Sequence, residues 1–402
     1  MQNNPKIPEG WSVKKLKTCL SLLKDGTHGT HVDVSYGVIL LSAKDVVNGQ
    51  IIFSEEARKI SLNDFNSLHK NYHIQNDDVV LTIVGTIGRC AIIKNYDNNY
   101  TFQRSVAILR PNKEITSKYL FSYIQGDSFQ KELLKRQSIS AQPGVYLDDL
   151  SKISLLLPPL PEQEKIALVL GMWDEAIEKL SDLIEQKKLL KKGLMQELLT
   201  GKTRLPGFTQ PWKEVKLGSV LESISRRNKN LNTTRVLSVT NSRGFVLPEE
   251  QFARVVASED LSNYKIVKKG EFAYNPSRLN VGSIDRLDNF TDGVLSPMYV
   301  IFKCNEQLLS DYMKHWITTT EFNSKVRNSA QGSVRETVDF KTLSTIKIRL
   351  PSDITEQQAI ADVLSTADDE INLLNQKLKA IKEQKKGLMQ QLLTGQIRAK
   401  VN

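Results

Sequence analysis

Cysteine and histidine are scarce in this chain, at three and five residues among 402. Cys19, Cys90 and Cys304 lie far apart with no CxxC spacing. That argues against a disulfide framework and a cysteine-based zinc site, and it suits a reducing cytoplasm. No apolar run approaches the roughly 18 residues of a membrane span. The opening MQNNPKIPEGW lacks the apolar core of a signal peptide. A cytoplasmic location without membrane contact is therefore expected. Catalytic signatures are missing too. Gly201-Lys202-Thr203 resembles the end of a phosphate loop, but Gln196 stands where that loop needs its first glycine, so the segment reads as a helix cap. Asn275-Pro276-Ser277-Arg278 approaches the tetrad of an amino-methyltransferase but lacks its second proline and its aromatic residue. No Pro-Asp dipeptide is present to begin a nuclease pattern. His69 and His73 have the i, i+4 spacing of two metal ligands without a third, and read as a surface pair. Neither a metal nor a cofactor is expected on this chain.

What the chain has is repetition. KKGLMQELLTGK at Lys191–Lys202 returns as KKGLMQQLLTGQ at Lys385–Gln396, 194 positions later. The same offset aligns Pro161–Lys202 with Thr355–Gln396 without a gap, and roughly half the positions are identical. Both copies have a helical seam. The first places Ile166, Leu170, Trp173, Ile177 and Leu194 on it, and the second Ile360, Leu364, Ile371, Leu374 and Leu388. The 3.5-residue spacing is that of a coiled coil, interrupted by the polar slots Lys187, Lys191 and Lys385. Pro161 suits a first helical position, and Gly201 and Gly395 suit C-terminal caps. Gly193 and Gly387 fall inside the helices, where they mark either a close backbone approach or fraying. Each seam is about 48 Å long at 1.5 Å per residue. Chain connectivity favours an antiparallel pair, because a parallel one would force the intervening block to bridge that length.

The blocks between the helices are also related. WSVKKL at Trp11 matches WKEVKL at Trp212, and the strand–loop–strand pattern of residues 74–93 matches that of residues 267–287. The expected fold class is α+β: two globular bodies, 1–158 and 205–352, separated by helices in 159–204 and 353–402, with a pseudo-two-fold relation. Of the net charge of +10, residues 1–159 carry +4 and residues 205–354 carry +5, while the repeated segments are near neutral. Two basic bodies suit a polyanion. Arginine pairs with guanine, and glutamine or asparagine with adenine, in the major groove. Candidates beside glycine and polar loops are Arg89, Gln103, Arg104 and Gln142 in the first body, and Arg226, Arg227, Arg278, Gln331 and Arg335 in the second. The loop KDGTHGTHVD adds Thr27 and His28, which can face a phosphate.

These motifs together resemble the specificity subunit of type I restriction–modification systems along essentially the full chain. The resemblance rests on LPPLPEQ and LPSDITEQ, IAxVL, KKGLMQ-x-LLTG, RLPGF, DGTH, LLSAKDV and NPSRLNVGSI. Thr355 departs from the proline usual before Glu-Gln, a change expected to be neutral. The resemblance implies two target recognition domains, each reading one half of a bipartite site on double-stranded DNA, with helices that set the spacer. It implies docking of two modification subunits that use S-adenosylmethionine to methylate adenine, and of two restriction subunits driven by ATP and Mg. It implies no catalysis by this chain. Because the bodies have diverged, the site should not be palindromic. Two other readings compete: a coiled-coil DNA-binding scaffold without sequence readout, and a self-sufficient methyltransferase or nuclease with degenerate motifs.

Overall fold

The computed structural model describes residues 7–138, 143–251, 260–330 and 337–401. Packing divides the chain into two units, residues 1–181 with 377–402 and residues 182–376. Two long helices, α1 (Leu160–Leu198) and α2 (Ile354–Leu393), each contribute to both units.

The first unit is built on an antiparallel sheet of β1 (Leu20–Asp25), β2 (Val79–Thr82), β3 (Cys90–Ile92) and β4 (Val106–Pro111), in the order β1-β4-β2-β3. Side chains alternate between the faces of a strand, so a continuous apolar run such as VVLT must be covered on both sides. Val79, Leu81, Ala107 and Leu109 pack with Tyr119, Leu120, Phe129 and Leu133 from two short helices. Val80, Val106 and Ile108 pack on the other face with Leu41, Tyr100 and Phe102.

The second unit repeats the plan. Its sheet is β5 (Leu221–Ile224), β6 (Phe272–Tyr274), β7 (Ile284–Arg286) and β8 (Val300–Cys304), in the order β5-β8-β6-β7. Phe272, Tyr274 and Phe302 face the helical core, and Ala273 and Ile301 face the opposite one. In each unit a two-stranded ribbon joins the first strand to the last, Ser12–Lys15 with Ser154–Leu157 and Lys213–Lys216 with Lys347–Leu350.

The repeated Glu-Gln dipeptide ties each long helix to its unit. Glu162 accepts from Trp11 Nε1 at 3.0 Å and from Arg398 Nε and Nη2, both at 2.8 Å. Glu356 accepts from Trp212 Nε1 at 3.3 Å and from Arg204 Nε and Nη2, the latter at 2.8 Å. Each arginine therefore follows one copy of the repeat and serves the glutamate of the other. Gln163 Nε2 donates to the Glu114 and Pro158 carbonyls while its Oε1 accepts from Thr116 N. Gln357 makes the same set with Gln307, Pro351 and Leu309.

Within each unit the helix segments run antiparallel, as connectivity requires. In the first, moving from Glu162 to Asp174 on α1 moves the partner from Arg398 back to Lys385 on α2. In the second, Lys187 and Lys191 of α1 pair with Glu370 and Asp368 of α2. The polar slots of the seam are thus ion pairs between helices. The seam is not buried throughout. Ile166 and Leu170 enter the core of the first unit, and Ile360 and Leu364 that of the second. Leu388 and Leu194 lie partly buried against those cores. Trp173, Ile177, Ile371 and Leu374 remain partly exposed. Leu180 and Ile184, midway along α1, are buried outside both of those cores.

Other expectations resolve locally. Gly201 and Gly395 both have φ +69°, the left-handed cap. Gly193 and Gly387 lie inside regular helix, and a Cβ at either would meet nothing within 4 Å. Neither fraying nor close approach by this chain explains them. Thr355 N and Oγ1 donate to Asp353 Oδ1 at 2.8 and 2.6 Å, a satisfied first turn where the other copy has proline. His69 is not a surface residue. It is buried, with Nε2 2.9 Å from Thr101 Oγ1 and Nδ1 3.2 Å from the Tyr72 carbonyl, while His73 is exposed. Among the described residues no group of three His, Cys, Asp or Glu side chains forms a metal site, and no helix is long and apolar enough to cross a membrane.

Two outcomes follow from this packing. Glu356→Ala leaves the Arg204 guanidinium and the Trp212 N–H without their acceptor and should lower the unfolding free energy by about 3 kcal/mol, read from denaturant melts. His315 is the second. It is buried with Nε2 3.1 Å from Ser365 Oγ and Nδ1 3.8 Å from Asp368, and burial together with the Lys191 charge pushes its pKa down from 6.5 to about 4. The unfolded side chain takes its proton near 6.5 and the folded one only near 4, so this contribution is complete above pH 6.5 and declines as pH falls towards 4. His315→Gln keeps a polar partner for Ser365 and should remove about 3 kcal/mol of the pH-dependent loss.

Candidate nucleic-acid interface

In the first unit one end of the sheet gathers several loops. β1 ends at Asp25, and Gly26 then passes so close to the strand Tyr100–Phe102 that a Cβ there would lie 2.1 Å from the Phe102 carbonyl oxygen. Only glycine fits. Thr27 N donates to the Phe102 carbonyl at 2.8 Å, and Arg104 N donates to the Thr27 carbonyl at 2.9 Å. The glycine thus brings Thr27 and His28 beside Gln103 and Arg104. The Thr27 hydroxyl is occupied within the loop, 2.7 Å from His31 Nε2 and accepting from Gly29 N at 3.1 Å. His28 lies largely exposed, its Nε2 2.5 Å from Asp25.

The β2–β3 loop joins the same end. Ile83 N donates to the Ser105 carbonyl at 2.9 Å, and the Arg89 carbonyl accepts from Thr82 N at 2.8 Å. Gln130 Nε2 donates to the Gly88 carbonyl at 2.9 Å and buttresses the residue before Arg89. Gly88 has φ +93°, a conformation that side chains other than glycine rarely adopt. Arg89 and Arg104 are both exposed, and neither guanidinium has a hydrogen bond or ion pair. Gln103 is partly exposed, with its side-chain amide likewise unengaged. Gln142 lies outside the described residues.

The second unit divides its candidates. The Arg226 guanidinium donates to both carboxylate oxygens of buried Glu271, which also accepts from Lys268 N at 2.9 Å. That arginine holds the fold together. Arg227 Nη1 is spent on the Asn263 carbonyl at 2.5 Å. Arg278 is exposed and its side chain is unpaired, in the β6–β7 loop that corresponds to the β2–β3 loop of the first unit. Gln331 and Arg335 lie outside the described residues.

Sequence reasoning passed over Lys44. It is exposed in the turn whose Ala43 N donates to Ser105 Oγ at 3.1 Å, at the same sheet end. The charge inside LLSAKDV was the available signal. It also passed over Val281 and Met298, because exposed apolar residues have no sequence mark that separates them from core. The seam residues, which a docking partner could also have used, divide as well. Ile166, Leu170, Ile360 and Leu364 are buried within their own units and have no surface to offer. The large apolar residues that the helices expose are others, among them Leu168 and Met172 in the first unit and Leu189, Leu190 and Leu373 in the second.

An open row of loops carrying unpaired guanidiniums and a side-chain amide can donate to base edges and to phosphates. Comparison with known proteins agrees in kind. Residues 8–188 and 295–383 match the family described as type I restriction modification DNA specificity domain. The chain is 24% identical over 424 residues to a protein of Methanocaldococcus jannaschii described as a candidate MjaX type I restriction enzyme specificity subunit, covering 98% of this chain and 95% of that one. It is 28% identical over 164 residues to the EcoBI specificity subunit of Escherichia coli, covering 40% of this chain and 34% of that one. Its fold resembles that of the type I restriction–modification S subunit of M. genitalium, with a TM-score of 0.59 at 14% identity over 98% of this chain and 97% of the other.

The two kinds of arginine should behave differently. Arg104→Ala should weaken binding of the full chain to duplex DNA while leaving its unfolding free energy within about 0.5 kcal/mol. Arg226→Ala strands Glu271 and should cost about 2 kcal/mol of stability. Titration of labelled duplex and a denaturant melt on each variant separate the two.

Proposed function

Because the chain belongs to the family of type I restriction modification DNA specificity domains, we propose that each unit reads one part of a two-part DNA sequence through the loops at one end of its sheet. The observation that carries this reading is the set of unpaired, exposed guanidiniums at the sheet ends, Arg89 and Arg278 in corresponding loops and Arg104 in the first unit alone. An unpaired arginine on a glycine-built loop has no structural task, and its planar fork matches the guanine edge. Gln103 beside it matches adenine. The net charge of +10 supplies the sequence-independent attraction to phosphate that brings these loops to the groove.

The chain's role is recognition, and chemistry belongs to its partners. Two modification subunits bring S-adenosylmethionine, and two restriction subunits bring ATP and Mg. The helices set the length of DNA left unread between the two parts, and their exposed leucines and Met172 are the apolar surface on which a protein partner can dock. The two units expose different residues at their reading ends, so the two half-sites differ.

Mapping N6-methyladenine in a host that carries the modification partner, with and without this gene, tests the reading. One gapped, non-palindromic motif should appear only with the gene. A palindromic motif would contradict independent reading by two diverged units. Unchanged methylation, combined with salt-sensitive binding that ignores sequence, would favour a scaffold instead.

A further inference from the structure

The reading end of the second unit differs from that of the first in chemistry. In the first, Val106 opens β4 opposite Thr82 and stands two residues after Arg104. In the second, Val300 opens β8 opposite Tyr274 and stands two residues after Met298. The strand register therefore places Met298 where the first unit carries Arg104. A guanidinium has been replaced by an unbranched apolar chain at an equivalent position.

Met298 is held out rather than left loose. Tyr299 N donates to the Ser296 carbonyl at 3.0 Å, closing a four-residue turn with Pro297 at its second position and Met298 at its third. Lys265 Nζ donates to the Tyr299 carbonyl at 2.5 Å, and Tyr299 itself is buried. The turn is anchored on both sides of Met298, yet Met298 is 57% exposed. The neighbouring β6–β7 loop behaves alike. Leu279 is fully buried, Val281 is 58% exposed, and Gly282 at φ +88° turns the chain back into β7. Arg278 lies in that same loop with its side chain unpaired.

Two exposed apolar residues on anchored loops beside one free arginine are a poor surface for solvent and a good one for a major-groove edge. Thymine is the one base that presents an apolar group there, its 5-methyl. We propose that Met298 specifies thymine in the half-site read by the second unit by covering that methyl group. This proposal rests on the reading of the sheet ends as DNA-reading surfaces.

The test uses the full chain with its adenine-methylating partner and duplexes bearing the mapped motif, in which each thymine in turn is replaced by uracil, which lacks only the methyl. One uracil in one half-site should weaken binding about fourfold, the worth of one buried methyl group. In Met298→Ala that uracil should have no effect, in Met298→Leu the effect should persist, and substitutions in the other half-site should act alike in all three proteins. Sequence preference that survives with no uracil effect, or a uracil effect unchanged in Met298→Ala, overturns the assignment of Met298 and leaves base reading standing. A Met298→Ala variant that loses the methylating partner while keeping the uracil effect also overturns it, and marks a protein contact. Equal affinity of the wild-type complex for the motif and a scrambled duplex removes base reading itself, and this proposal with it.

Discussion

A buried carboxylate at the start of each long helix is the constraint on which the arrangement depends. Glu162 and Glu356 sit where a helix leaves a sheet domain, and each is held by a tryptophan N–H and an arginine fork. A buried charge is tolerable only with its partners in place. The partners come from separate parts of the chain: the tryptophan from just before the first strand of the unit, the arginine from the segment after the opposite helix. One carboxylate thereby joins three segments of each unit. The glutamine that follows completes the joint by satisfying backbone groups that the helix start would otherwise bury unpaired.

With both helix starts locked, the sheets are free to diverge at their other features. The two sheets share their strand order and their two-sided apolar burial, because both must seat a helix pair on one face and a loop-rich layer on the other. Loops at the sheet ends carry no such requirement. The first unit places Gln103 and Arg104 after a strand, and the second places Pro297 and Met298 there. Functional variation gathers where backbone is already satisfied and side chains face outward.

Much of this was legible in the sequence because it was written twice. The 194-residue offset disclosed the helices and their caps, separate motif matches disclosed the kinship of the bodies, and connectivity implied the antiparallel sense of the helices within each unit. The polar slots at Lys191 and Lys385 were visible as gaps in the seam. Their carboxylate partners, Asp368 and Asp174, were not, since nothing local pairs residues 177 and 211 positions apart. The repeat likewise could not tell that Ile166 and Ile360 enter globular cores, because an apolar stripe looks the same whichever surface covers it.

The sequence alone determined the fold class, the two long helices and the family, since periodicity and repetition are local properties of the chain. The tertiary structure decided which arginines are free. Arg226 and Arg278 are alike in sequence, each preceded by serine in a loop, yet one closes on buried Glu271 and the other is unpaired. Glu271 lies 45 residues from Arg226, and only the return of a distant strand brings a carboxylate to it. Whether a charge holds the fold or meets a ligand depends on what the rest of the chain sets against it, and that is a property of the folded molecule.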